Sequence, residues 1–226
     1  MKRILRIYVI TDIHSPDAFE MPELDPEIYD VVLTLGDIDE ATLDYISHRS
    51  LRIPTYGVPG GHDKILTRGV CDLHGKVVTV KGIRIGGFGG APKYKDQRFH
   101  YSGGQVAIQM IRMPKVDIFI THTPPLATSM QEDSLHRGFR AFDHYLRRCT
   151  PSYMIHGHLE RNYMAQVYQT TVHGIRWQRP LTLSFDKQSY PSDNHEPKRE
   201  PLIFPFRWIQ SQIKRRRMDE SPNSLP

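Results

Sequence analysis

Five apolar runs in this chain of 226 residues end in a carboxylate or an imidazole, and that recurring ending limits what the chain can fold into. Ile4 to Ile10 leads to Asp12 and His14, and Asp30 to Leu35 leads through Gly36 to Asp37. Pro54 to Gly60 reaches Gly61, His62 and Asp63, Val116 to Thr121 reaches His122, and Tyr153 to Ile155 reaches His156, Gly157, His158 and Glu160. Runs this short and rich in β-branched residues read as strands buried on both faces rather than as surface helices. The polar residues then lie past the carboxyl ends of strands, where open α/β sheets hold their ligands. Along an extended backbone alternate side chains share a side, which predicts that Asp12 and His14 point the same way and grip one cation. A single Asp-x-His is too short to exclude a turn cap beside an ordinary loop histidine; its recurrence at several strand ends is what weighs against that.

Helical spacing fills the intervals. Asp39 and Glu40 open a helix with Ala41, Leu43, Tyr45 and Ile46 on one face. Ser102 caps a second, Gly104 to Met113, which buries Val106, Met110 and Ile111 and stops at Pro114. Phe139, Phe142, Leu146 and Cys149 recur at helical spacing as core residues, with Pro151 as terminator. Lys76 to Val80 and Ile83 to Phe88 flank Lys81-Gly82 as a hairpin, while Ala165 to Val172, Ile175 to Gln178 and Leu181 to Phe185 read as closing antiparallel strands around a turn at His173-Gly174. Gly86, Gly87, Gly89 and Gly90 lack the spacing of a phosphate-cradling loop and read as close backbone packing.

Residues 1–187 form the expected folded domain, and beyond Lys187 the composition shifts to Pro, Ser, Asn and charge. In that stretch, 188–226, Phe206, Ile209 and Ile213 share a helical face beside Lys214 to Arg217, the pattern of a basic amphipathic helix or of a solvated charge run. That stretch carries seven Lys and Arg against five Asp and Glu, part of the chain's net charge of +5, which leaves nucleic acid open as a partner and says little about the strand-end residues. Cys71 and Cys149 make no framework, Met1-Lys2-Arg3 leads to Asp12 without a signal cleavage site, and no apolar segment is long enough to span a membrane. A reduced, cytoplasmic setting is the expectation.

Taken in order, Asp12/His14, Gly36-Asp37, Gly61-His62-Asp63, His122 and Gly157-His158 resemble the motifs of the calcineurin-like metallophosphoesterase family, DxH, GDx, GNH[DE], a lone H and GHxH. Thr121 to Pro125, with Asp133, His136 and Gly138 after it, resembles the small single-domain members. The resemblance covers Lys2 to Lys187 and implies a four-layer α/β sandwich, two mixed sheets flanked by helices. It also implies a metal-dependent phosphoesterase, acting on phosphodiesters derived from nucleotides or nucleic acid. Two divalent ions would neutralise the phosphate and lower the pKa of water between them. By the resemblance Asp12 and His14 hold the first metal, Asp37 bridges, and His122 and His158 hold the second. His62 protonates the leaving oxygen and Asp63 orients its ring.

Two positions depart from the family pattern. Gly61 stands where the family has Asn, which removes an oxygen ligand from the second metal, and Glu160 stands where GHxH ends in His. A carboxylate at Glu160 can still ligate the first metal and favours a harder ion such as Mn2+, or it can pair with Arg161. The first metal site is therefore expected intact and the second depleted. Gly61, His136 and His156 are further candidates for facing substrate; His136 and His156 can equally line the pocket or satisfy a local hydrogen bond. The alternative to an enzyme is a nucleotide-binding or regulatory module with a weakened second metal site.

Overall fold

Alternation along the strands separates the core into three apolar clusters, and those clusters fix the layers. The computed structural model describes residues 2–14, 20–63, 69–94, 96–129, 137–159 and 161–186. The stretch 188–226, with its expected amphipathic helix, lies outside them, as do Asp133, His136 and Glu160. In chain order the elements are β1 (Arg3–Ile10), β2 (Val31–Thr34), α1 (Glu40–Arg49), β3 (Thr55–Gly57), β4 (Cys71–Asp72), β5 (Val77–Val80) and β6 (Ile83–Phe88). They continue with β7 (Ala91–Pro92), β8 (His100–Tyr101), α2 (Gly103–Arg112), β9 (Ile118–Thr121), a 3-10 turn (Leu126–Thr128), α3 (Arg140–Cys149), β10 (Tyr153–His156), β11 (Tyr163–Val167), β12 (Thr170–Gly174) and β13 (Gln178–Phe185).

One sheet has the order β13-β1-β2-β3-β4 and the other β11-β12-β10-β9-β6-β5, with β7 and β8 as a separate pair. β1 to β4 run parallel and β13 closes antiparallel on β1. In the second sheet β6, β9, β10 and β12 are parallel, and β5 and β11 are antiparallel edges. Leu5, Ile7, Val9 and Leu33 of the first sheet meet Ile85, Ile118, Ile120 and Ile155 of the second, so these residues form the layer between sheets. The alternate residues face outward: Tyr8, Ile10 and Val32 pack under Leu43 and Ile46 of α1, and Phe88, Phe119 and Met154 pack under α2 and α3. Strands buried on both faces need apolar residues at every position, which is why the sequence runs are continuous rather than alternating. The result is the α/β sandwich, helix on sheet on sheet on helices.

Each helix starts where its local chemistry places it. Asp39 accepts from the Ala41 and Thr42 N–H groups, and Ser102 and Gln105 form a reciprocal capping box. Three expectations are corrected. Ala41 and Tyr45 are exposed on α1, while Thr42 takes the buried position. Ile111 is 74% exposed, because one turn of α2 beyond Val106 the buried position falls to Met110. The antiparallel strand expected from Ala165 to Val172 is broken by a turn at Tyr168, whose φ is 54°, so that His173 and Gly174 belong to β12 instead of a turn. Among the described residues no helix is long and apolar enough to cross a membrane.

Candidate metal site

Because β1, β2, β3, β9 and β10 are all parallel within their sheets, the residues that follow them emerge at carboxyl edges. The loops are then tied to one another. Leu35 N–H donates to Ile10 O, Asp12 N–H to Gly36 O, Val58 N–H to Thr34 O and Thr11 N–H to Trp177 O. Asp12, Asp37 and His158 all lie in the left-handed region, with φ of 55°, 52° and 67°. Outside glycine that region is uncommon and costs strain that the surroundings must enforce. Here it turns each side chain inward directly after its strand.

The inward turn allows very close approach between loops. A Cβ on Gly60 would lie 2.0 Å from Asp37 Oδ1, and one on Gly157 would lie 2.0 Å from Thr11 Oγ1 and 2.7 Å from Asp12 Oδ2. Only glycine fits either position. Asp12 Oδ2 accepts from Thr11 Oγ1 at 2.7 Å and from His158 N–H at 2.9 Å, and Asp37 Oδ1 accepts from His62 N–H at 2.8 Å.

Asp37, His122 and His158 offer one ligand atom each within 4.8 Å of one another. His122 is fully buried; its Nδ1 lies 2.8 Å from Leu35 O, which fixes the proton there and leaves Nε2 as the free donor atom. That Nε2 is 3.2 Å from Asp37 Oδ2 and 3.1 Å from His158 Nδ1. Two imidazole nitrogens and a carboxylate oxygen this close compete for one positive charge, so the donor set fits a divalent cation with nitrogen and oxygen ligands. The electrostatics show the same demand. Burial pushes His122 down, but the Asp37 charge and hydrogen bond together with Asp12 carry it up to about 10. Burial pushes Asp37 up, and the neighbouring His122 outweighs it, holding the carboxyl below the ordinary carboxylate range. For Asp12 burial wins and the pKa is raised.

The expected first and second metal sets fare differently. The second set, Asp37, His122 and His158, is brought together. The first is not: His14 is exposed and outside the group, because the left-handed Asp12 ends the extended alternation that would have placed both side chains on one side. Glu160 lies outside the described residues. Asp12 itself stays close, through its bond to His158 N–H.

Three other expectations change. Asp63 does not serve the His62 ring: its Oδ2 accepts from Asp37 N–H at 3.0 Å and Gly60 N–H at 2.7 Å, and its Oδ1 from Ile38 N–H at 3.2 Å. It clasps the loops after β2 and β3 together, which sets where Asp37 points. His156 does not face substrate, because it is fully buried, with Nδ1 2.7 Å from Gly157 O and Nε2 2.6 Å from the Tyr163 hydroxyl. Burial lowers its pKa to about 4, so it is a neutral packing group. Gly61 is buried as well, against Ala91 and His100, while His62 stands exposed beside it. Sequence reasoning missed Thr11 and Tyr163. Tyr163 OH joins His156 to Thr128 Oγ1 at 2.8 Å, bridging the loops after β9 and β10. Neither residue sits in a motif, and only the hydrogen bond to Asp12 or His156 marks it.

With this geometry the chain has the α/β sandwich expected from its sequence, carrying a candidate metal-ligand group, and it shares that fold with solved structures. TT1561 of Thermus thermophilus superposes with a TM-score of 0.55 at 13% identity, over 80% of this chain and 99% of that one. The phosphopantetheinyl hydrolase of Mycobacterium tuberculosis gives 0.51 at 14% identity, over 78% and 95%. A 5'-nucleotidase candidate from Staphylococcus aureus gives 0.50 at 15% identity, over 81% of this chain and 51% of that one, so the chain spans about half its length. No protein-family model matches the chain, and no curated protein matches it in sequence.

Proposed function

We propose that the protein is a metal-dependent phosphoesterase that hydrolyses phosphodiesters from nucleotides or nucleic acid. The observation that carries this reading is the convergence of Asp37, from the carboxyl edge of one sheet, with His122 and His158, from that of the other, in the fold shared with these solved structures. These three would hold one cation, with Asp12 close by through its bond to His158 N–H; Mn2+ suits the mixture of carboxylate and imidazole. When bound, such ions neutralise phosphate charge and make hydroxide available at neutral pH. The chain's own residues do the rest. Asp63 fixes the Asp37 loop through backbone N–H groups, and the Leu35 carbonyl fixes the His122 tautomer. His62, exposed beside Asp37 and held by its own N–H, gives its ring proton to the departing oxygen.

The second reading, a nucleotide-binding module of low activity, draws on His14 lying exposed and outside the ligand group. One experiment separates the two. Hydrolysis of bis(p-nitrophenyl) phosphate and of a dinucleotide is followed across a Mn2+ titration, with metal content of wild type and Asp37→Asn measured by elemental analysis. Hydrolysis that saturates with Mn2+, and a loss of bound metal in Asp37→Asn, are expected. No hydrolysis of either diester at saturating Mn2+ sinks the enzyme reading and leaves the module.

A further inference from the structure

A cavity of about 490 Å3 is lined in part by Leu126, four residues past His122, and its wall carries three cationic side chains. Its position follows from the chain. The loop after His122 runs through Pro124 and Pro125 into the 3-10 turn, whose Leu126 lines the cavity, and Thr123 Oγ1 donates to Gly90 O at 2.7 Å, two residues before the lining Pro92. Lys93, Arg137 and Arg140 are in the wall and no carboxylate is. Lys93 is 3.1 Å from Asp96, but the Asp96 side chain is 98% exposed, so that pair is solvent-screened.

Neither Arg137 nor Arg140 has an ion pair or hydrogen bond among the described residues. Asp143, one turn on from Arg140, turns both oxygens to Leu126 N–H at 3.1 Å and Ala127 N–H at 3.0 Å and makes no ion pair with it. Arg140 also opens α3, where a cation meets the positive end of the helix and Phe139 supplies no side-chain cap. Among the described residues, two exposed guanidinium groups without a partner therefore line a cavity whose wall holds no carboxylate. Guanidinium recognises phosphate through paired N–H donors. Tyr101, Leu126 and Phe139 give the wall apolar surface beside Ser102, and the volume is that of a small-molecule pocket, more than inorganic phosphate needs.

We propose that this cavity binds a second phosphate of the substrate together with the organic group that bears it. The substrate class is then a phosphodiester with another phosphate beyond the scissile one. This rests on the phosphoesterase reading for its reaction, and on the cavity alone for its ligand. The second phosphate has two sources, a terminal monoester or the next diester along a chain, and three probes separate them: an unphosphorylated dinucleotide, the same dinucleotide with a 5'-phosphate, and a trinucleotide.

Binding of each to the full-length protein is measured by calorimetry without added divalent ion, and Mn2+-dependent hydrolysis is measured in parallel. Arg137→Ala with Arg140→Ala is expected to raise the Kd of the phosphorylated dinucleotide or of the trinucleotide at least tenfold, and to leave the unphosphorylated one within twofold. Arg137→Lys with Arg140→Lys keeps the charge but not the paired N–H donors and recovers only part of the loss, which a merely structural role for the arginines would not predict. Equal loss on all three probes, or loss on none, overturns the proposal. Arginine-dependent binding with no hydrolysis of any probe supports the cavity and overturns the phosphoesterase reading. Hydrolysis without arginine dependence does the reverse.

Discussion

Replacing Gly61 with Asn would put back the oxygen that the family pattern places there, and the structure says why this fails in the native background. A Cβ at Gly61 would lie 2.9 Å from the Ala91 Cβ and 3.5 Å from His100 Nε2. Two carbons prefer about 3.5–4.0 Å, so the overlap with Ala91 is large. Backbone strain is not the obstacle, since Gly61 is not among the residues of positive φ. Neither partner can move freely. Residue 61 lies between Gly60 N–H, bound to Asp63, and His62 N–H, bound to Asp37; Ala91 N–H is held by Phe99 O at 2.9 Å and Gly90 N–H by Pro59 O at 2.7 Å. Overpacking of this kind costs about 1–3 kcal/mol, or a Tm lowered by about 2–12 °C at this size. Combining Gly61→Asn with Ala91→Gly removes the colliding methyl, and a double-mutant cycle in urea should show a favourable coupling of about 1–2 kcal/mol. Only the double variant should then reach half-maximal activity at lower Mn2+ than its Ala91→Gly parent. Wild-type stability in Gly61→Asn alone, or strict additivity in the cycle, would refute the reasoning.

Asp63→Asn should cost about 1–3 kcal/mol, because an amide nitrogen cannot accept and at least one of the Asp37, Ile38 and Gly60 N–H groups loses its partner; bound metal should fall with it, and an unchanged urea midpoint together with unchanged metal content would show the clasp to be idle. His62→Ala should slow hydrolysis about 100-fold or more for alkyl leaving groups and far less for nitrophenolate, and equal losses on both would remove His62 as the acid. Asp30 accepts from Arg6 and Lys81, which overcome the upward push of burial and bring its pKa down to about 2. Its folded pKa lies below the unfolded value, so the stabilisation is complete above roughly pH 4 and is lost as pH falls through about 2. Thermal melts across that window should therefore show a steeper acid limb for wild type than for Asp30→Asn, and parallel limbs would contradict it.

The amino-acid sequence by itself determined the strands and the residues at their ends. Continuous apolar runs are legible as doubly buried strands because burial on both faces leaves no polar register, and caps such as Asp39 and Ser102 are local contacts that a few neighbouring residues specify. The direction in which a side chain leaves a strand is not local. Asp12 and His14 read as neighbours on an extended backbone, yet φ at Asp12 is 55°, with Gly157, after β10 of the other sheet, so close that a Cβ there would lie 2.7 Å from Asp12 Oδ2. The role of Asp63 was hidden for the same reason, since its nearest residue in sequence, His62, is not its partner, and the N–H groups that it holds belong in part to a loop 25 residues away. The cationic cavity was likewise invisible, because Lys93 and Arg140 lie far apart in sequence and meet only once β7 and α3 are placed. Hydrophobic pattern is written into short windows of sequence, whereas ligand geometry depends on contacts between loops that only the packed sheets bring together.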